Sequence, residues 1–266
     1  MASDLDPALD PNPDPLGSPH PASPLAFLLL VERFYASLMR HAPSAEAGLG
    51  GRLLYVGEMD EAGRALMVAT NIAGAASLAV TADPVAQKQS IRDGVADFLV
   101  TTLDEALRIL KNEIRKREPV AVCVAAQPTV IEQEMFERGV LPDVVRDFGL
   151  AGTADRAVGF GGSPIRVGPL ARVEDEWLLT WSVDEAPAQW LPRLDAIATE
   201  CLAANESVAA QIARRWLQLA PRYLGRFARN VRVLRCSRAG AEAIARRMRI
   251  GVESGEIPVP VRIDFV

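Results

Sequence analysis

Between residues 53 and 147 short apolar runs alternate with longer stretches whose apolar residues recur at helical spacing. Leu53–Val56, Ser77–Val80, Ala96–Thr101, Pro119–Ala125 and Asp143–Asp147 are the runs. Apolar residues at successive positions predict strands covered on both faces, as in a parallel sheet. The stretches between them predict helices over Arg64–Ala73, from Pro84, over Leu103–Arg117 and over Pro128–Arg138. Asp83 and Thr102 stand where N-caps are needed, and Gly74 and Gly139 stand where helices stop. Strand–helix alternation with short connections predicts an α/β fold: a doubly wound, Rossmann-like parallel sheet spanning 52–148.

The flanks read differently. Residues 1–23 carry Pro at 7, 11, 13, 15, 19 and 21 with Asp interspersed, a composition that cannot offset its ordering entropy and predicts a disordered arm. Residues 24–51 predict a helix over Pro24–Arg40, capped by Ser23 with Pro24 at its first position, and then a linker. Over 149–266 the grammar changes to a smaller α+β extension. Leu170–Val173 and Trp177–Val183 read as an antiparallel pair about a Glu174-Asp175-Glu176 turn. Helices are expected over Ala188–Ala203, Glu206–Leu219 and Arg238–Gly251, with strands at Asn230–Arg235 and Val259–Phe265.

Charge refines this outline. The net charge is −5 over 266 residues, yet from Asn205 onward 12 Arg face 5 acids, so an acidic body carries a basic C-terminal piece. The three cysteines form no CxxC pair and no disulfide framework, which suits a reducing cytoplasm. No run approaches the ~20 apolar residues of a membrane span, and the acidic, Pro-rich start is unlike a secretory signal. Both histidines, His20 and His41, precede the predicted sheet. A His-dependent triad or multi-His metal site within it is therefore excluded, and no metal is expected.

The candidate chemistry lies in the first strand–loop–helix–strand unit. Gly57 ends the first strand, Gly63 closes the loop, Arg64 opens the predicted helix and Asp83 follows the second strand. Glycines let backbone approach a pyrophosphate, a helix N-terminus attracts its charge, and an acid about 20 residues on can take ribose hydroxyls. Against this, the strict G-x-G-x-x-G spacing is absent, and Asp83-Pro84 also reads as an ordinary helix cap.

Three segments resemble the nucleotide-binding domain of the urocanate hydratase (urocanase) family: Leu-Tyr-Val-Gly at 54–57, Ala-Gly-Ala-Ala-Ser-Leu-Ala-Val-Thr-Ala-Asp-Pro at 73–84, and Arg-Gly-Val-Leu-Pro-Asp-Val-Val-Arg-Asp at 138–147. The resemblance covers about residues 50–148. It implies a Rossmann-like fold and a tightly held NAD that acts as an electrophile toward an imidazole substrate. The departures are equally specific. The family's glycine-rich loop is here Gly57-Glu58-Met59-Asp60-Glu61-Ala62-Gly63-Arg64, with three acids that oppose phosphate. The family's Thr-Ser-Ala-His-Asp stretch is replaced by Arg146-Asp147-Phe148-Gly149-Leu150-Ala151, and the family's catalytic core is longer than this chain. Gly57, Gly63, Arg64 and Asp83 are thus the candidate cofactor residues. NAD binding is expected to be weak or absent, and urocanate hydration is not expected.

Two classes of function remain. One is a small-molecule protein binding a nucleotide or small anion, with retained Asp83 in its favour. The other is a structural or regulatory protein with a degenerate site and an Arg-rich partner-binding face, with the acidic loop in its favour. An active site formed between subunits of a homo-oligomer stays open. Arg214, Arg215, Arg222, Arg226, Arg229 and Arg232 interleave with Trp216, Tyr223 and Phe227, but an ion-paired face or subunit interface is the expectation rather than nucleic acid. The loop Gly159–Pro164 could offer backbone N–H groups to an anion. Cys123 and Cys201 read as core residues. Cys236, beside Arg235 and Arg238, has surroundings that would lower a thiol pKa, although a structural role is favoured.

Overall fold

The computed structural model describes residues 23–147, 164–171 and 175–266. The Pro-rich arm and most of the Gly159–Pro164 loop lie outside these residues. The chain begins with α1 (Pro24–Met39), whose N-terminus is closed by the Ser23 hydroxyl accepting from the Ala26 N–H at 3.2 Å. Six parallel strands follow: β1 (Leu53–Glu58), β2 (Ala76–Val80), β3 (Phe98–Val100), β4 (Val120–Val124), β5 (Val144–Arg146) and β6 (Ile165–Val167). Their spatial order is β3-β4-β2-β1-β5-β6. All five sequence-predicted strands therefore lie in one parallel sheet. The sixth was not predicted: it is three residues long, sits in a Gly- and Pro-rich stretch, and is recruited by pairing with β5.

Alternation across this sheet assigns the helices to faces. Leu53, Tyr55, Leu78, Val80, Val122 and Val124 point to the face covered by α4 (Leu103–Lys116) and α5 (Pro128–Glu137). Leu54, Val56, Ala79, Ala121 and Cys123 point to the other face, covered first by α2 (Glu61–Ala73). That helix is buried on nearly every side, because α1 and the C-terminal helices pack over it in turn. Such a helix must be apolar all round, and Ala65–Ala69 (Ala-Leu-Met-Val-Ala) meets the need. The short α3 (Pro84–Arg92) leads from β2 to the edge strand β3.

The C-terminal part holds a three-stranded antiparallel sheet, β8-β7-β9, built from β7 (Glu176–Ser182), β8 (Val231–Ser237) and β9 (Arg262–Phe265). Three helices accompany it: α6 (Pro187–Ala203), α7 (Val208–Leu224) and α8 (Arg238–Glu253). β7 pairs with β8 and β9 on its two sides, not with the residues just before it. The expected 170–173/177–183 hairpin is thus corrected. Leu170 instead exchanges bonds with Arg33 of α1, its N–H donating to the Arg33 carbonyl at 3.0 Å and its carbonyl accepting from Arg33 Nε at 2.8 Å. Residues 172–174 fall outside the described set. Both sheets share one continuous apolar core through α1, α2 and α7.

Candidate functional site

The strand order reverses between β1 and β5. The chain leaves β1 toward β2 on one side and returns through α5 to β5 on the other. In open α/β sheets, ligands lie beyond the C-terminal ends of the strands at such a point. The loop from Gly57 to Gly63 forms one wall here, and Arg146 and Asp147 at the end of β5 form the other.

Gly57 has φ +76° and follows a bulge: Tyr55 pairs with Leu78, but Gly57 pairs with Ala79, leaving Val56 extra. The positive φ favours glycine. α2 begins at Glu61, earlier than the Arg64 start expected from sequence, because Asp60 is its N-cap. The Asp60 carboxylate accepts from the Gly63 N–H at 2.7 Å. Gly63 therefore lies inside the first turn. A Cβ there would come within 2.3 Å of the Glu58 carbonyl oxygen, so the chain's own turn demands this glycine.

The same carboxylate accepts two bonds from Arg146, Nη1 at 2.8 Å and Nη2 at 2.9 Å. Arg146 is only 11% exposed whereas Asp60 is 51% exposed, so the guanidinium lies within the protein and the carboxylate faces solvent. Bidentate carboxylate–guanidinium pairing is among the more geometrically specific polar contacts.

Arg64 and Asp83 face elsewhere. Arg64 is paired with the buried Asp93 at the end of α3, and Asp93 also receives Arg226 at 2.5 Å and Gln89 at 2.8 Å. Asp83 caps α3: one oxygen accepts from the Val85 N–H at 2.9 Å and the other from the Ala86 N–H at 3.3 Å. The structure thus brings together Gly57, Asp60, Gly63 and Arg146, and assigns Arg64 and Asp83 to neighbouring turns. Sequence reading missed Asp93 as the partner of Arg64, and Arg146 as the partner of Asp60. Arg146 stands where the third resembling segment ends, which was the available signal.

The remaining candidates are also placed. Arg215 donates to the Glu46 and Ala73 carbonyls and so caps the C-terminus of α2. Arg232 binds Asp195 at 2.9 Å. Trp216 is buried, its indole N–H donating to the Val233 carbonyl at 2.6 Å, and Phe227 packs on Phe27 with centroids 4.4 Å apart and rings tilted by 35°. Burial pushes the Cys123 and Cys236 thiols up to about 12, in Cys236 with added repulsion from Glu176 and Glu32. This corrects the electropositive reading of Cys236. Among the described residues, no group of three or more His, Cys, Asp or Glu could hold a metal ion, and no helix is long and apolar enough to cross a membrane.

Comparison with known proteins adds two findings. Residues 31–154 match the sequence model of the urocanase Rossmann-like domain, which extends the resemblance back into α1. The chain is also 27% identical over 151 residues to a protein named S-methyl thiourocanate hydratase from Variovorax sp. (strain JCM 16519 / RA8). That alignment covers 56% of this chain and 28% of the relative, so the chain spans little more than a quarter of that relative's length.

Proposed function

We propose that, in a chain whose residues 31–154 match the urocanase Rossmann-like domain, the nucleotide place of this fold has been turned over to the chain's own side chains. On this reading the protein is a structural or regulatory relative of the hydratases, not an NAD-dependent hydratase itself. The observation that carries it is the Asp60 carboxylate, seated on the first turn of α2 and clamped there by Arg146. A pyrophosphate would need that same helix N-terminus. It would have to displace a carboxylate already bonded to it, and the Arg146 guanidinium that could otherwise attract a phosphate is held by that same carboxylate. Arg64, the nearest compensating cation in sequence, is held by Asp93. Asp83 spends both carboxylate oxygens on α3. The residues at this place therefore do not suit a dinucleotide.

The relative's name points to the competing reading, in which the chain supplies a nucleotide domain to hydratase chemistry. Calorimetric titration with NAD separates the two. The expected result is no binding tighter than about 1 mM, with urocanate left unchanged when followed by its ultraviolet absorbance. A micromolar constant that is lost in Asp83→Ala would overturn the reading, as would urocanate turnover by the purified chain. Asp60→Asn keeps a good N-cap while removing the charge, so any gain of NAD affinity in that variant would identify the carboxylate as the obstacle.

A further inference from the structure

A cavity of about 340 Å³ opens where α1, α7 and β8 meet, away from the strand ends. Tyr35, Met39, Ile212 and Trp216 wall it, with small Ala36 and Ala213 leaving the room. The volume falls in the ordinary range for small-molecule sites. It is about twice the ~150 Å³ that takes up one benzene, so it has room for a ring and a short tail. The polar atoms of its two aromatic walls are already used. Tyr35 donates its hydroxyl to the Ile212 carbonyl at 3.1 Å, and the Trp216 indole N–H is bonded to Val233. Both rings are nearly buried, at 2% and 4% exposure, and pack on each other with centroids 5.0 Å apart, so they make a firm apolar wall.

Charge converges on the same space. Glu32 is 2% exposed and is gripped by Arg235 through Nε and Nη2, each at 2.8 Å. Arg235 reaches Glu176 with Nη1 at 3.3 Å. Two carboxylates thus share one guanidinium within the lining. Glu176 is the weaker-bound of the two: its side chain is 30% exposed, and among the described residues it accepts that one long bond. Two other cations bear on the site: Arg40 belongs to the lining at its outer edge, and Arg33 stands near. Arg33 directs its Nε to the Leu170 carbonyl, and Arg40 is exposed to solvent.

We propose that this cavity binds a small organic monocation: a primary amine on an apolar body of about phenylalkyl size. The ammonium offers three donors to oxygens that have acceptor capacity to spare, Glu176 first. The body fills the apolar walls. An organic anion would have to displace Glu176 from Arg235 or depend on solvent-exposed Arg40.

Calorimetric titration of the whole chain at neutral pH with 2-phenylethylamine, 3-phenylpropionate and 2-phenylethanol tests this. The amine is expected to bind at least tenfold tighter than the other two. Glu176→Gln, at a partly exposed position, should lose at least tenfold of the amine affinity. Ala36→Phe should abolish binding by filling the space. Folding of each variant is checked by circular dichroism, and if Ala36→Phe fails to fold, Glu176→Gln decides alone. Equal affinity for the three probes, tighter binding of the carboxylate, no amine binding up to about 10 mM, or full affinity in Glu176→Gln would overturn the proposal.

Discussion

Replacing Arg235 by Met leaves the Glu32 carboxylate buried between α1 and β8 without its bidentate partner. Glu32 lies 203 positions from Arg235 in sequence, and the pair joins the first helix to the second sheet through the core. Breaking a buried pair by removing one member typically costs about 3–5 kcal/mol, because the remaining charge is uncompensated. For a chain of this size that corresponds to a fall of roughly 6–20 °C in Tm. The loss must depend on pH. Burial raises the Glu32 pKa from 4.5 even with Arg235 opposing it through its bond and charge, and without Arg235 it rises further. A carboxyl whose folded pKa exceeds its unfolded value keeps full stability below the unfolded pKa and loses it as pH rises through the window between the two. The variant should therefore lose most stability near pH 8 and recover part of it toward pH 5, where the raised pKa of Glu32 favours its protonated form. Urea denaturation of wild type and variant at both pH values, with linear extrapolation, measures this. A loss below about 1 kcal/mol, or the same loss at both pH values, would refute the reasoning. The double variant Glu32→Met/Arg235→Met should recover part of the loss, because an apolar pair can replace a buried ionic one.

Three further outcomes are expected. Thr102→Ala should cost about 1 kcal/mol in the same assay, since it dismantles the capping box in which Thr102 and Glu105 bond each other's backbone at the start of α4. Gly63→Ala should cost about 1–3 kcal/mol by forcing the new methyl against the Glu58 carbonyl, and a neutral result would show that the loop relaxes freely. A thiol reagent under native conditions should modify Cys201 first, because it is partly exposed whereas Cys123 and Cys236 are buried, although burial raises all three thiols. Labelling of Cys236 ahead of Cys201, read by peptide mass mapping, would contradict that placement.

The parallel sheet was legible because its strands are buried on both faces and carry that burial locally. Every residue of β2 and β4 is buried, and an unbroken apolar run is the direct trace of such a position. Helix starts were legible where the cap is a short polar side chain followed by proline or by a capping box, as at Ser23, Asp83 and Thr102. Two features were not legible, for one shared reason. β6 contributes a single buried residue, Val167, and β7 takes both its neighbours from more than 45 positions downstream. Pairing of that kind is decided by where the rest of the chain brings each edge, so it leaves no periodicity in the local sequence. The acidic run 174–176 looked like a hairpin turn only because local turn chemistry was the sole signal there.

The candidate site shows the same limit acting on charge. Sequence can count Glu58, Asp60 and Glu61 against one Arg64 and conclude that phosphate is opposed, but the count treats all three acids as free to face a ligand. In the fold they are not equivalent. Asp60 turns onto the helix terminus that a phosphate would need and is fixed there by Arg146 from β5. Arg64, one turn further along α2, points instead to Asp93. On the proposed reading the obstacle to an anion is an internal anion already seated, more than a diffuse negative field, and the two differ in kind. Salt would screen a diffuse field of exposed charges over about 10 Å, whereas a hydrogen-bonded carboxylate held by a largely buried guanidinium must be displaced, which ionic strength alone does not achieve. NAD affinity that stays absent from low to high salt, yet appears in Asp60→Asn, would mark the seated carboxylate as the cause. Affinity that rises with salt in the wild type would assign the effect to the field instead.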